Sequence, residues 1–216
     1  MTHKAASTYP KGTFFNAFFA QNIVLVQALN LCPILAAGTT LQKGLTLAVC
    51  TALVLLPISL AMSLVGEKIP AWVRPLVYTT TAGLLMAGAS FLVKTYISEE
   101  LYASLYVFLP LTAVSTVLTY RAGGFSVRQN AVTALLDSLG SSLGFGLVIC
   151  LVGAVREIAA YGTIWNLPVH PDVTIPEASE PFVAFLLLAF MAALLQWIKN
   201  VRARHAKARE GGVTNG

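Results

Sequence analysis

Long apolar runs alternate with short polar segments along most of the chain. The six runs cover about residues 23–40, 45–65, 73–93, 102–119, 131–155 and 182–198. A helix needs roughly 20 apolar residues to cross the hydrocarbon core of a bilayer. The pattern therefore predicts six membrane-spanning helices in a single polytopic domain, residues 1–216. A short N-terminal segment, residues 1–20, precedes them, and a basic tail, residues 199–216, follows them.

Prolines interrupt the first and fourth of these runs. Asn30-Leu31-Cys32-Pro33 lies near the middle of the first run, and Pro110 lies within the fourth. Proline removes a backbone donor and breaks a helix, and broken backbone at membrane depth must be buried in protein or line a cavity. The two interrupted runs are the first members of two successive sets of three spans. Because three is an odd number of crossings, the second set is inverted relative to the first in the membrane. We therefore predict an all-α integral membrane fold: two inverted three-helix repeats, with broken helices one and four.

Charge is scarce and unevenly placed. Charged residues make up 11% of the chain, against roughly 25% in soluble domains, which excludes a soluble catalytic domain. With the N-terminus inside, the outer segments hold only Lys43, Lys94 and Arg156 of the 14 basic residues. Basic residues favour the cytoplasmic side. We therefore predict a multi-pass membrane protein with both termini cytoplasmic.

Three cysteines lie in apolar runs and do not indicate an extracellular disulfide framework. Cys32 is the strongest candidate for chemistry because a thiolate is the soft ligand that iron–sulfur clusters need. The alternative is an inert buried thiol that packs as a small apolar group. For Cys50 and Cys150, which lie nearer the outer ends of their helices, packing is the favoured interpretation.

Acidic and basic side chains inside the fifth run are the other candidates. Asp137 predicts either a cation path or an internal ion pair, with Arg121 or Arg128 as its partner. Arg156 and Glu157 at the end of the run are interpreted as an interface pair or a solvated helix end.

Several motifs, in order over roughly residues 20–165, resemble one family. They are Gln27 to Pro33, Phe108 to Leu111, Tyr120 to Phe125, Leu135 to Ser138, Gly153 to Ile158 and Tyr161 to Ile164. Together they are similar to the D/E-type membrane subunits of the Rnf and Nqr complexes, most of all on the RnfE and NqrD side.

The resemblance implies six spans in inverted halves and a sister six-span subunit of the RnfA/NqrE kind as partner. It also implies a [2Fe–2S] cluster shared by the two subunits, with two half-helix cysteines from each, and Cys32 as the first ligand. Thr116 stands where the family has its second cysteine, and the family's glutamate is absent from Arg121-Ala122-Gly123-Gly124-Phe125. A threonine hydroxyl does not replace a thiolate on iron. The resemblance also implies a bacterial or archaeal cytoplasmic (inner) membrane, and it implies that any flavins belong to other subunits. No nucleic acid is expected as a partner.

Two functions follow. In the first, the chain is a subunit of an ion-translocating oxidoreductase, not a catalyst alone. It relays electrons across the membrane in a complex that couples electron flow, from ferredoxin or NADH to NAD or quinone, to Na⁺ or H⁺ transport. In the second, it is a cluster-free paralogue that acts as a stand-alone small-molecule or ion transporter, with Asp137 and the broken helices lining the substrate cavity.

Overall fold

The protein is described from a computed structural model, which covers residues 24–26, 30–113, 115, 118–165, 167–168 and 175–213. In this part of the chain the α-helices are α1 Leu31–Ala37, α2 Leu41–Val65, α3 Arg74–Leu92, α4 Glu99–Leu105, α5 Phe108–Ala113, α6 Ala131–Tyr161 and α7 Pro181–Val213. π-helical turns cover Val93–Ile97 and Thr119–Phe125, and 3₁₀ turns cover Ser126–Arg128 and Pro176–Ser179. A small antiparallel hairpin joins β1 Thr163–Ile164 to β2 Leu167–Pro168.

Four of these helices are long and apolar enough to cross a bilayer. They are Leu41–Val65, Arg74–Ile97, Ala131–Tyr161 and Pro181–Val201, and they correspond to the second, third, fifth and sixth predicted runs. The prediction of an all-α integral membrane protein is thereby confirmed, while the count of six spans stays a prediction. Helix α6 continues to Tyr161, beyond the predicted end at 155, because the chain first turns at Gly162, where φ is 63° and favours glycine.

Helices α2 and α6 form the centre of the bundle and pack against each other in antiparallel fashion along their lengths. Small residues make this approach possible. A Cβ added at Gly44 would lie 3.1 Å from the carbonyl oxygen of Ile149, and one at Gly153 would lie 2.8 Å from that of Thr40. Close backbone contact of this kind drives helix association where lipid removes the hydrophobic effect.

The two short helices α1 and α5 lie in the predicted broken spans and contact each other. The first break lies at Asn30, whose φ of 61° is left-handed, and α1 begins directly after it. Pro33 is the third residue of α1 and Pro110 the third of α5. A proline in the first turn costs no helical hydrogen bond. The first break therefore lies within the predicted stretch Asn30–Pro33, and each proline lies in the first turn of the helix that follows a break.

The bundle has two polar ends. Thr40, Lys43, Ser98 and Glu157, from three separate predicted outer segments, line one cleft. At the opposite end, the Ser63 hydroxyl donates a hydrogen bond of 3.0 Å to the carbonyl of Gln129. The segments that the charge pattern groups together are thus close in space. The chain passes from the first end to the second through α4 and α5.

Two helices present largely unburied faces to their surroundings. Only 28% of the most apolar stretch of α3 and 11% of that of α7 are buried within the chain. The glycines Gly83 and Gly88 of α3 do not serve packing within the described part of the chain, because a Cβ at either position would meet nothing within 4 Å. The predicted N-terminal segment 1–20 lies outside the described residues.

Candidate functional site

Cys32 is the second residue of α1, and its thiol is exposed at the surface of the chain. The neighbouring Pro33 and Ile34 are buried and fix the helix against the bundle. The Cys32 thiol is therefore not buried by the part of the chain that the structure describes. A thiol in this position is accessible to a second chain.

The chain's described residues suit one ligand of a cluster, not a whole site. A [2Fe–2S] cluster is held by a full set of cysteine thiolates. Cys50 is buried within α2 and Cys150 is half-buried in α6, and Thr116 lies outside the described residues. Among the residues that the structure describes, no group of three or more His, Cys, Asp or Glu side chains could hold a metal ion. A cluster held by Cys32 would therefore need further ligands from outside the described residues.

Asp137 and Arg121 form an ion pair inside the bundle. Arg121 Nη1 donates to Asp137 Oδ1 over 2.6 Å, and the two residues are only 1% and 2% exposed. This confirms Arg121 as the predicted partner. The corner that carries Arg121 packs closely on α3, since a Cβ at Gly123 would lie 2.7 Å from the ring of Tyr78.

Further buried oxygens occur at the same end of the bundle. Asp137 Oδ2 and the hydroxyls of Ser59, Ser126 and Ser141 have no hydrogen-bond partner among the described residues. Ser141 lies one helical turn after Asp137, so the two side chains share a face of α6. Buried polar groups without partners are costly and are usually satisfied by water or an ion. These oxygens are of the hard type that alkali cations and protons prefer.

Arg156 and Glu157 lie at the other end of α6, and both are buried. Arg156 donates from Nη1 to the carbonyls of Leu35 (3.1 Å) and Gly38 (2.9 Å). It also donates from Nε to the carbonyl of Ala178 over 3.3 Å, and from Nη2 to that of Ser179. The burial of both residues contradicts the interpretation of Arg156 and Glu157 as a solvated helix end, while the interpretation as an interface pair stays a prediction.

The partners explain why these charges are buried. Glu157 Oε2 accepts a bond of 2.7 Å from the backbone N–H of Leu41, the first residue of α2. Helix ends leave backbone groups without intrahelical partners, and lipid cannot satisfy them. One signal in the sequence pointed this way: the charged pair follows an apolar stretch directly, and the first helix-ending residue, Gly162, comes several residues later.

Comparison with known proteins agrees with the motifs. Residues 11–195 match a family model described as "Rnf-Nqr subunit, membrane protein". The chain is 34% identical over 214 residues to a protein of Shewanella sp. (strain ANA-3), with 92% of this chain and 90% of the relative covered. A protein of Shewanella putrefaciens is 36% identical with the same coverage. Both relatives are named as the E-type subunit of an "Ion-translocating oxidoreductase complex".

Proposed function

Because the chain belongs to the Rnf-Nqr family of membrane subunits, we propose that it is the subunit of an ion-translocating oxidoreductase complex that relays electrons across the membrane in step with Na⁺ or H⁺ transport. The observation that carries this proposal is similarity over nearly the whole chain to relatives named as a subunit of such a complex. The other subunits of the complex and the lipid bilayer are its partners, and a sister six-span subunit of the RnfA/NqrE kind is the direct neighbour. Both termini face the cytoplasm.

Cys32 has the role of an iron ligand in this proposal. Its support is an exposed thiol at the start of a half-helix, where a partner chain can supply the other thiolates. The cluster, when bound, supplies one-electron transfer. The chain's own part is to present the thiolate at a fixed place on its surface. Because Thr116 stands at the second ligand position of the family, a thiolate from elsewhere must complete the set.

Asp137 has the role of a carboxylate on the ion path. Arg121 lies within hydrogen-bonding distance of this carboxylate and is its charge partner when no cation is bound. An arriving Na⁺ or H⁺ competes with the guanidinium for the same oxygens. The hydroxyls of Ser59 and Ser141 are then available as ligands for the cation or for a water molecule bound to it.

The role of Cys32 is tested on the purified complex by the EPR and visible spectra of its [2Fe–2S] clusters. We expect Cys32→Ala to remove one cluster signal while the subunits still assemble. Cys50→Ala is the matched control, because Cys50 is buried within α2. The cluster signals of the complex with this variant should stay normal. A full set of cluster signals in Cys32→Ala would exclude Cys32 as a ligand.

The role of Asp137 is tested in membrane vesicles that contain the complex. We expect Asp137→Asn to lower Na⁺- or H⁺-coupled electron transfer, because the amide has no charge to exchange with the cation. Glu99→Gln serves as the control, since Glu99 pairs with Lys94 at the exposed surface. Unchanged coupling in a fully assembled Asp137→Asn complex would rule out the ion path.

Thr116 favours a second candidate, the cluster-free stand-alone transporter, because it removes a thiolate that the family supplies. Purification of the native protein from its own membranes separates the two. Redox subunits that co-purify with it support the oxidoreductase. A chain that purifies alone and carries no iron supports the transporter.

A further inference from the structure

Arg156 joins three parts of the chain that are distant in sequence. Its guanidinium binds backbone carbonyls at the end of α1 and in the turn Pro176–Ser179, and its own backbone belongs to α6. We infer that Arg156 is a positioning residue: it holds α1, and with it the Cys32 thiol, in place against α6 and the turn before α7. This inference rests on the proposed function for its meaning, since there Cys32 is an iron ligand.

Helix α1 needs such support. It has only seven residues, and helices of this length are not stable on their own. Its last carbonyls lack helical partners, and two of the carbonyls around its end, those of Leu35 and Gly38, bind Arg156. Arginine suits the task because its donors are fixed in one plane, whereas lysine offers a single point charge on a flexible stem.

The corner that follows α1 is held by the same part of α6. Glu157, the next residue, accepts the backbone N–H of Leu41. Gly153, one turn earlier, gives the Thr40 backbone room to lie directly on α6. The corner between α1 and α2 is therefore attached to α6 at successive points, and α1 cannot tilt freely about Gly38.

The thiol is close enough to this corner to depend on it. Cys32 precedes Gly38 by less than two turns, which is about 9 Å of helical rise. A tilt at the Gly38 end of so short a helix moves the thiol directly. The turn Pro176–Ser179 shares the same guanidinium, so a movement of that turn reaches Cys32 through Arg156.

A spin label on Cys32 tests the inference without any cluster. The full chain is prepared in lipid nanodiscs without its partners, with Cys50→Ala and Cys150→Ala so that Cys32 is the labelled thiol. The EPR line shape is then compared for Arg156, Arg156→Gln and Arg156→Lys. The control label is on Gly83→Cys in a Cys32→Ala background, where a side chain meets nothing within 4 Å.

We expect Arg156→Gln to shorten the correlation time of the Cys32 label by roughly a factor of two or more, because the freed α1 moves on a faster timescale. The correlation time of the Cys32 label in Arg156→Lys should lie between those in the original chain and in Arg156→Gln. The mobility of the label on Gly83→Cys should not change. An unchanged Cys32 label in Arg156→Gln, or equal loosening at both labels, overturns the inference. If Arg156→Gln does not fold, Arg156→Lys tests the inference instead. A Cys32 label that is as immobile in Arg156→Lys as in the original chain overturns the inference.

The spectrum of the complex gives the second readout. With the subunits assembled, Arg156→Lys should alter the line shape of the cluster signal that depends on Cys32, and Cys32→Ala should remove that signal. A full set of cluster signals in Cys32→Ala excludes the proposed role of Cys32 as an iron ligand, while the spin-label result continues to decide the role of Arg156. The two failures are therefore distinguishable.

Discussion

At the scale of single residues, the buried charges distinguish this chain from a set of plain apolar helices. A buried ion pair adds little net stability, but removal of one partner leaves an uncompensated charge. Arg121 and Asp137 meet this condition, because both side chains are almost fully buried and bonded to each other. Their effect on stability should therefore appear mainly when only one of them is replaced.

We predict that Arg121→Leu lowers the free energy of unfolding of the chain by about 3–5 kcal/mol, because Asp137 stays behind as an unpaired charge. The double variant Arg121→Leu/Asp137→Leu should recover much of this loss. Unfolding in detergent, followed by circular dichroism, measures both.

The surface pair Lys94–Glu99 is the control for that prediction. Its atoms are 3.5 Å apart and its side chains are 51% and 79% exposed. Exposed pairs contribute about 0–1 kcal/mol, so Lys94→Leu should have a small effect. A loss in Arg121→Leu that is no larger than in Lys94→Leu would contradict the buried-pair account.

The two buried charge sites also show what the sequence can and cannot reveal. A basic partner for Asp137 was predictable as Arg121 or Arg128, since an acid inside an apolar run needs such a partner and few are near, and the structure selects Arg121. The partners of Arg156 were not, because they are backbone carbonyls, and every residue has one. Sequence patterns identify side-chain partners by type, whereas backbone partners depend on where the helices end.

At the scale of elements, the same distinction separates long helices from short ones. The long helices follow from their apolar runs, because length and hydropathy alone make a span. The left-handed Asn30 and contacts with neighbouring elements set where helices α1 and α5 begin. The prolines in their first turns are compatible with these starting points. The approximate places of the breaks were predictable, and their backbone geometry was not.

Glycines on α6 and α3 give a prediction at this scale. We expect Gly153→Ala to destabilise the chain by about 1–3 kcal/mol, because its Cβ would meet the Thr40 backbone at 2.8 Å and α2 and α6 would have to separate. Gly83→Ala, in the interior of α3 with open space around it, should be neutral or stabilising by up to about 1 kcal/mol. Thermal unfolding of the two variants in the same detergent compares them. A similar gain in stability in both variants would show that helix propensity, not close packing, governs both sites.

At the scale of the whole molecule, the bundle keeps its polar groups at two ends and leaves apolar faces on α3 and α7 for lipid or other subunits. The contacts assign segments to ends but do not say which end is inside. That assignment comes from the basic residues, most of which lie in the segments joined to the Arg121 end. The charge and hydropathy pattern of this chain does not identify the neighbouring subunits.

Orientation gives the last prediction. Glu67 and Thr95 are exposed and lie at opposite ends of the bundle, so each can carry a single cysteine in a background without Cys32, Cys50 and Cys150. In intact cells or protoplasts, a membrane-impermeant maleimide should label Thr95→Cys and should label Glu67→Cys only after the membrane is opened. Basic residues resist transfer to the outer side, which is why the end with Glu67 should stay within the cytoplasm. Labelling of Glu67→Cys alone in intact cells would invert the topology and would place the Asp137 end of the bundle outside.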